Sequence, residues 1–103
     1  MIKLASALMV LTALVSAPAH ANLQLAQNNA CMGCHAVDKK VLGPAFQDVA
    51  KKYAGQANAV AAITASIKNG GAGKWGPIPM PASQGLSDAD AKTLATWIAG
   101  GAK

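Results

Sequence analysis

Apolar positions along the chain form one unbroken run near the start and four later stretches with helical spacing. The run extends from Leu4 to Val15 and consists of apolar and small residues. In the last three of the later stretches apolar residues recur three, four or seven positions apart, as on one face of a helix, whereas the first predicts only a short, weak helix. The four stretches are 22–30 (Leu25, Ala26), 46–53 (Phe46, Val49, Ala50, Tyr53), about 56–68 (Val60, Ile63, Ile67), and one after Ser87 (Leu94, Trp97, Ile98). No strand-like alternation appears, so the pattern predicts an all-α fold.

Turn and capping residues mark the ends of the predicted helices. Gly55 ends the second helix and Asn69-Gly-Gly71 the third. Three prolines within Pro77-Ile-Pro-Met-Pro81 exclude a helix from the stretch 72–85 and favour an extended backbone. Ser87 is a good N-cap for the last helix, because Asp88 and Asp90 then lie in its first turn.

The apolar run has the features of a cleaved secretory signal. Lys3 precedes it, and Ala17-Pro-Ala-His-Ala21 places small residues one and three positions before a cut after Ala21. The alternative, a permanent membrane anchor, needs about 20 apolar residues, and this run is shorter. We therefore expect residues 1–21 to be removed on export to the periplasm. Residues 22–103 then form one domain with no membrane span.

Charge limits the classes of partner. Residues 22–103 contain eight Lys and four Asp, but neither Arg nor Glu. A basic surface favours acidic partners, although it can also serve solubility alone. The lysines are scattered and Arg, the usual reader of bases, is missing, so nucleic acid is not an expected ligand. A domain of this size usually benefits from a covalent staple, a metal or a cofactor.

Cys31-Met-Gly-Cys-His35 is the motif that carries chemistry. Residues i, i+3 and i+4 share one face of a helical turn, so both thiols can reach one edge of a macrocycle while His35 faces its iron. Cys-x-x-Cys-His is the attachment signature of c-type haem. A disulfide or a thioredoxin-like thiol pair is the alternative, but the latter needs a βαβ pattern. A zinc site needs more ligands than residues 22–103 contain.

A second axial ligand follows by elimination. His20, Met1 and Met9 lie in the predicted signal, which leaves His35 as the one remaining histidine. Met32 lies between the two cysteines, too close to its own attachment turn to reach the opposite face. Met80 remains, in a loop stiffened by prolines. Its alternative role is to fill a gap in the core. His/Met ligation raises the reduction potential and leaves no open iron position, which argues against an enzyme.

The chain resembles the short class I bacterial cytochromes c of the cytochrome c-551 type. Besides the attachment motif, the resemblance is carried by Val41-Leu-Gly-Pro-Ala45, Ile67-Lys-Asn-Gly70, Trp75-Gly-Pro-Ile-Pro-Met-Pro81 and Leu94-Ala-Thr-Trp97. It implies about four helices around one covalently bound haem, with the terminal helices packed across each other. It also implies that the Pro44 carbonyl accepts a hydrogen bond from His35 and that the Trp75 indole binds a haem propionate.

This resemblance implies a monomeric electron shuttle between a quinol-oxidising complex and a terminal oxidase or reductase. A collar of lysines near the haem edge would steer redox partners with acidic docking surfaces. Its members are Lys39, Lys40, Lys51, Lys52, Lys68 and Lys74. Two alternatives remain at this point: a sensor or enzyme with a labile sixth ligand, and a haem domain fixed within a larger complex.

Overall fold

Four α-helices and one 3-10 turn make up the architecture of the computed structural model, which describes residues 19–103 and the side chains of 22–103. The elements are α1 (Ala19–Asn28), a 3-10 turn (Cys31–Gly33), α2 (Phe46–Tyr53), α3 (Ala59–Asn69) and α4 (Asp88–Ala99). Within these residues the only β-type pairing is an isolated bridge between Gly71 and Met80. The predicted all-α class is confirmed. The predicted signal, residues 1–21, lies mostly outside the described part of the chain, and α1 spans the expected cleavage position.

Helix α4 lies at the centre of the packing, since it contacts α1, α2 and α3. Leu94 is its most deeply buried large side chain. Trp97 packs edge-on against Phe46 of α2, with ring centroids 5.6 Å apart, and its indole N–H donates to the Lys103 carbonyl at 3.1 Å. From α3, Ile63 and Ile67 complete this core. Trp97 is therefore a core residue, as the sequence suggested.

The bounds of α2 agree with the sequence prediction, whereas α1 ends two residues earlier and α3 begins about three residues later than predicted. Helix α1 ends at Asn28, because Ala30 adopts a left-handed conformation (φ 60°) and the Asn29 side chain donates to the Leu25 carbonyl at 2.8 Å. Helix α3 begins at Ala59 rather than near Gln56. The Ala59 amide bonds the Gln56 carbonyl at 3.2 Å, which closes a turn before the helix starts.

The start of α4 is held by two side chains, Ser87 and Lys68. The Ser87 hydroxyl accepts from the Asp90 amide at 3.1 Å, which is the predicted N-cap. Lys68 of α3 pairs with Asp88 at 3.2 Å and also donates to the Leu86 carbonyl. Together they fix the segment that leads from the irregular stretch into α4. No helix in the described part of the chain is long and apolar enough to cross a membrane.

Candidate functional site

A cavity of about 640 Å³ opens beside the core and is lined mainly by apolar groups. Its walls come from the Cys31–Gly33 turn, the segment 42–46, helices α3 and α4, and the loop 70–83. All six site residues predicted from the sequence line it: Cys31, Cys34, His35, Pro44, Trp75 and Met80. The fold therefore brings together side chains that are up to 49 positions apart in the chain.

The two cysteines lie on the short turn that follows α1. The left-handed conformation of Ala30 changes the direction of the chain after α1. The turn is closed by hydrogen bonds from the backbone amides of Cys34 and His35 to the Cys31 carbonyl, at 3.2 and 3.0 Å. The thiols are not joined to each other. Burial raises the pKa of the Cys31 thiol, an effect that a backbone hydrogen bond partly opposes. This turn presents two thiols and one imidazole to the same cavity.

The His35 ring is held in one orientation by its neighbours. Its Nδ1 lies 2.8 Å from the Pro44 carbonyl oxygen. Because a carbonyl only accepts, Nδ1 carries the proton and the lone pair is on Nε2, the arrangement typical of a metal-binding histidine. Phe46 stacks on the ring at 5.0 Å, and Gly43 approaches so closely that a Cβ there would lie 2.5 Å from Cε1.

Met80 is fixed by the backbone of the loop that carries it. Gly71 and Met80 form two backbone hydrogen bonds with each other, of 3.0 and 2.7 Å. Close by, the Ser83 amide bonds the Ile67 carbonyl at 2.9 Å, which ties the loop to α3. Gly70 has φ 66°, and a Cβ at that position would overlap the Met80 carbonyl oxygen. The backbone of Met80 is therefore held on both sides along the cavity wall, and its side chain is half-buried.

Exposed apolar side chains surround the opening of the cavity. Leu42 and Ile78 are 53% and 57% exposed, and Trp75 is 40% exposed. These three residues, which we call the rim, all line the cavity. Lys52 lies 4.6 Å above the Trp75 ring. The rim thus presents an apolar surface bordered by positive charge.

Two contributors to the site were not assigned this role from the sequence, since Gly43 packs on the imidazole and Phe46 stacks on it. Lys74, predicted as a member of the lysine collar, lines the cavity. The helical stripe predicted Phe46 as a core residue, but periodicity does not distinguish core packing from contact with a ligand. Only the position of Gly43, directly before Pro44 in a loop, hinted at a close approach of backbone to a side chain.

The donor set fits a haem better than a metal ion bound by protein alone. No group of three or more His, Cys, Asp or Glu side chains capable of holding a metal ion occurs in residues 19–103. The cavity instead combines apolar walls, two thiols and an imidazole whose Nδ1 faces the Pro44 carbonyl. Its size is within the range of about 300–1,000 Å³ usual for cofactor sites. An apolar macrocycle would cover the exposed rim side chains.

Comparison with known proteins also indicates a haem protein. Residues 23–101 match the cytochrome c family. Cytochrome c-551 of Pseudomonas denitrificans is 57% identical over 75 residues, which cover 73% of this chain and 90% of the relative. For cytochrome c-552 of Nitrosomonas europaea the identity is 49% over 85 residues, covering 82% of each chain.

Solved structures agree at the level of the fold. The crystal structure of wild-type Nitrosomonas europaea cytochrome c552 superposes with a TM-score of 0.75 at 48% identity, over 77% of this chain and 98% of that one. The class 1 cytochrome MtoD from Sideroxydans lithotrophicus ES-1 gives a TM-score of 0.71 at 30% identity, over 85% and 100%. The chain belongs to the cytochrome c family and is a small class I cytochrome c, an electron carrier that binds haem c covalently.

Proposed function

We propose that residues 22–103 act in the periplasm as a diffusible one-electron carrier whose haem is bonded to Cys31 and Cys34 and ligated by His35 and Met80. The observation that carries this proposal is that His35 and Met80 line the same cavity while they belong to different, independently anchored segments. One ligand from each segment suits an iron held between two faces of the protein.

The environment of His35 supports its role as the nitrogen ligand. The Pro44 carbonyl accepts from Nδ1 at 2.8 Å, so Nε2 is the nitrogen available to iron. A hydrogen bond of this kind also increases the basicity of the ligating nitrogen. Phe46 stacks on the ring and limits its rotation. Little reorganisation of the protein is then needed when iron changes charge.

The backbone around Met80 supports its role as the sulfur ligand. Two bonds to Gly71 and the neighbouring prolines restrict the loop, which lowers the entropy lost when the thioether is held on iron. A bound haem with His/Met ligation supplies one-electron chemistry at a raised reduction potential. If His35 and Met80 both held the iron, no position would remain for a substrate, and we infer that the protein is a carrier rather than an enzyme.

Replacing the sulfur ligand tests the axial assignment. In the oxidised holoprotein, Met80→Ala should abolish the sulfur-to-iron charge-transfer absorption, and the reduced form should bind carbon monoxide. Met32→Ala is the matched control, since it removes another half-buried thioether, one that lies in the attachment turn. Retention of the charge-transfer band in Met80→Ala would refute the assignment, as would its loss in Met32→Ala but not in Met80→Ala.

Location and partners form a separate part of the proposal. The secretory features of residues 1–21 support export, and the excess of lysine supports acidic docking surfaces on redox partners. Lys52 lies over the exposed Trp75 ring at the cavity opening, whereas Lys51 and Lys68 are paired with Asp48 and Asp88. We therefore expect Lys52 to contribute more to docking than Lys51 or Lys68.

Three measurements test this part. The N-terminus of the protein purified from periplasm should be Asn22, and its mass on native separation should be that of a monomer. Electron transfer to an acidic partner should slow as salt is added. Lys52→Gln should weaken this salt dependence more than Lys51→Gln. A rate independent of salt would remove the docking proposal without affecting the axial assignment.

A further inference from the structure

Lys74 lies at the tip of the loop that also carries Met80. The bridge between Gly71 and Met80 closes the base of this loop. At the tip, the Gly73 amide bonds the Gly76 carbonyl at 3.0 Å, and both glycines have positive φ, of 96° and 117°. Lys74 and Trp75 occupy the two positions between them. The backbone of this tip is therefore set by two glycines and not by the lysine side chain.

Lys74 is the one side chain with a full charge among the described residues that line the cavity. Its Nζ lies 3.5 Å from the Ser66 hydroxyl of α3, the outer limit of a hydrogen bond. Neither of the two ion pairs within residues 22–103 involves it. Lys52 donates to the Lys74 carbonyl at 3.4 Å, which links the tip to α2. The ammonium group thus lies beside Ser66, another residue of the cavity wall, and has no acidic partner within residues 22–103.

Haem c carries two propionate carboxylates, and carboxylates at a partly apolar site are stabilised by charged hydrogen-bond donors. We propose that Lys74 pairs with one of these carboxylates and thereby raises the reduction potential. This inference rests on the proposed haem site. A nearby cation favours the reduced state, because reduction removes one positive charge from the iron.

Lys74 suits this role better than Lys52. The Lys52 ammonium lies over the Trp75 ring, 4.6 Å from its centroid, and Lys52 does not line the cavity. It supports the tip through the Lys74 carbonyl and the Trp75 ring. The two lysines therefore have separate roles, one toward the cavity and one toward the loop.

The test is the reduction midpoint potential of the holoprotein, measured by spectroelectrochemistry. In Lys74→Met the ratio of reduced to oxidised protein at a fixed potential should fall about threefold, equivalent to about 28 mV at 59 mV per factor of ten. Lys74→Arg retains the positive charge and should keep the wild-type ratio of reduced to oxidised protein. Lys92→Met on the exposed face of α4 removes the same charge away from the cavity and should change the ratio less.

A second readout reports the pair itself. The infrared difference spectrum between the oxidised and reduced forms should show a propionate carboxylate band that moves in Lys74→Met and not in Lys92→Met. Equal potential shifts in Lys74→Met and Lys92→Met, or an unmoved carboxylate band, would overturn the inference. The sulfur-to-iron charge-transfer band is recorded on the same samples. If the charge-transfer band is present in the wild type but Lys74→Met changes neither the potential nor the carboxylate band, only this inference is refuted. If the charge-transfer band is absent from the wild type, the axial assignment is refuted.

Discussion

Gly43→Ala is the substitution for which the structure gives the most direct prediction. A Cβ at this position would lie 2.5 Å from Cε1 and 2.8 Å from Nδ1 of His35, against about 3.4 Å for ordinary contact. The backbone of Gly43 is not free to retreat, because its amide bonds the Cys34 carbonyl at 2.7 Å. The His35 ring must therefore move by nearly 1 Å, away from the Pro44 carbonyl or toward Phe46.

The expected loss of stability has two parts. Overpacking a well-filled site costs about 1–3 kcal/mol. Weakening the hydrogen bond from Nδ1 to the Pro44 carbonyl costs a further 0.5–1.5 kcal/mol or so. The free energy of unfolding should then fall by about 2–4 kcal/mol. For a domain of this length the midpoint of thermal unfolding should fall by at least about 8 °C.

Gly100→Ala is the matched control, since Gly100 does not line the cavity, its φ is -78°, and a Cβ there would lie 3.4 Å or more from its neighbours. Both variants are unfolded as holoproteins in guanidinium chloride, followed by far-ultraviolet circular dichroism. The nuclear magnetic resonance signal of the His35 Nδ1 proton should move in Gly43→Ala only. A difference between the two variants below about 1 kcal/mol, with an unmoved proton signal, would refute this account of Gly43.

Three further changes should alter stability in the same unfolding assay. Ser87→Ala removes the N-cap of α4 and should cost about 1 kcal/mol; no loss would mean that the cap is replaced by water. Leu94→Ala opens a gap in the core and should cost about 2–5 kcal/mol, and a cost below 1 kcal/mol would contradict the packing described. Lys68→Met should cost about 1 kcal/mol, mostly through the Leu86 carbonyl, since Asp88 is 93% exposed. If 1 M salt removed most of that cost, the ion pair would be the main contributor instead.

Local patterns were sufficient to predict most of the helices. The stripe of Phe46, Val49 and Tyr53 gave the bounds of α2, because a helix with a single apolar face leaves few other choices. The start of α4 followed from Ser87 for the same local reason. The predicted end of α1 was wrong by two residues, because the chain turns at Ala30 in a left-handed conformation that no glycine marks in the sequence.

The site was predictable only as a set of residue types. The motif Cys31–His35 identified the attachment turn, and elimination among the methionines pointed to Met80. The pairing of Gly71 with Met80, the contact of Gly43 with the imidazole and the position of Lys74 depend on packing between distant segments. Periodicity carries no information on such contacts, which is why they emerged only from the three-dimensional structure.

The pairing of Gly71 with Met80 has a consequence for how the chain can change over generations. Two backbone hydrogen bonds between Gly71 and Met80 close the base of the loop, so the position of Met80 does not depend on the residues of the tip, 72–79. Substitutions at the tip can then adjust charge and surface chemistry while the thioether keeps its place. We therefore expect related chains to differ more in the residues of the tip than in the pairing of Gly71 with Met80.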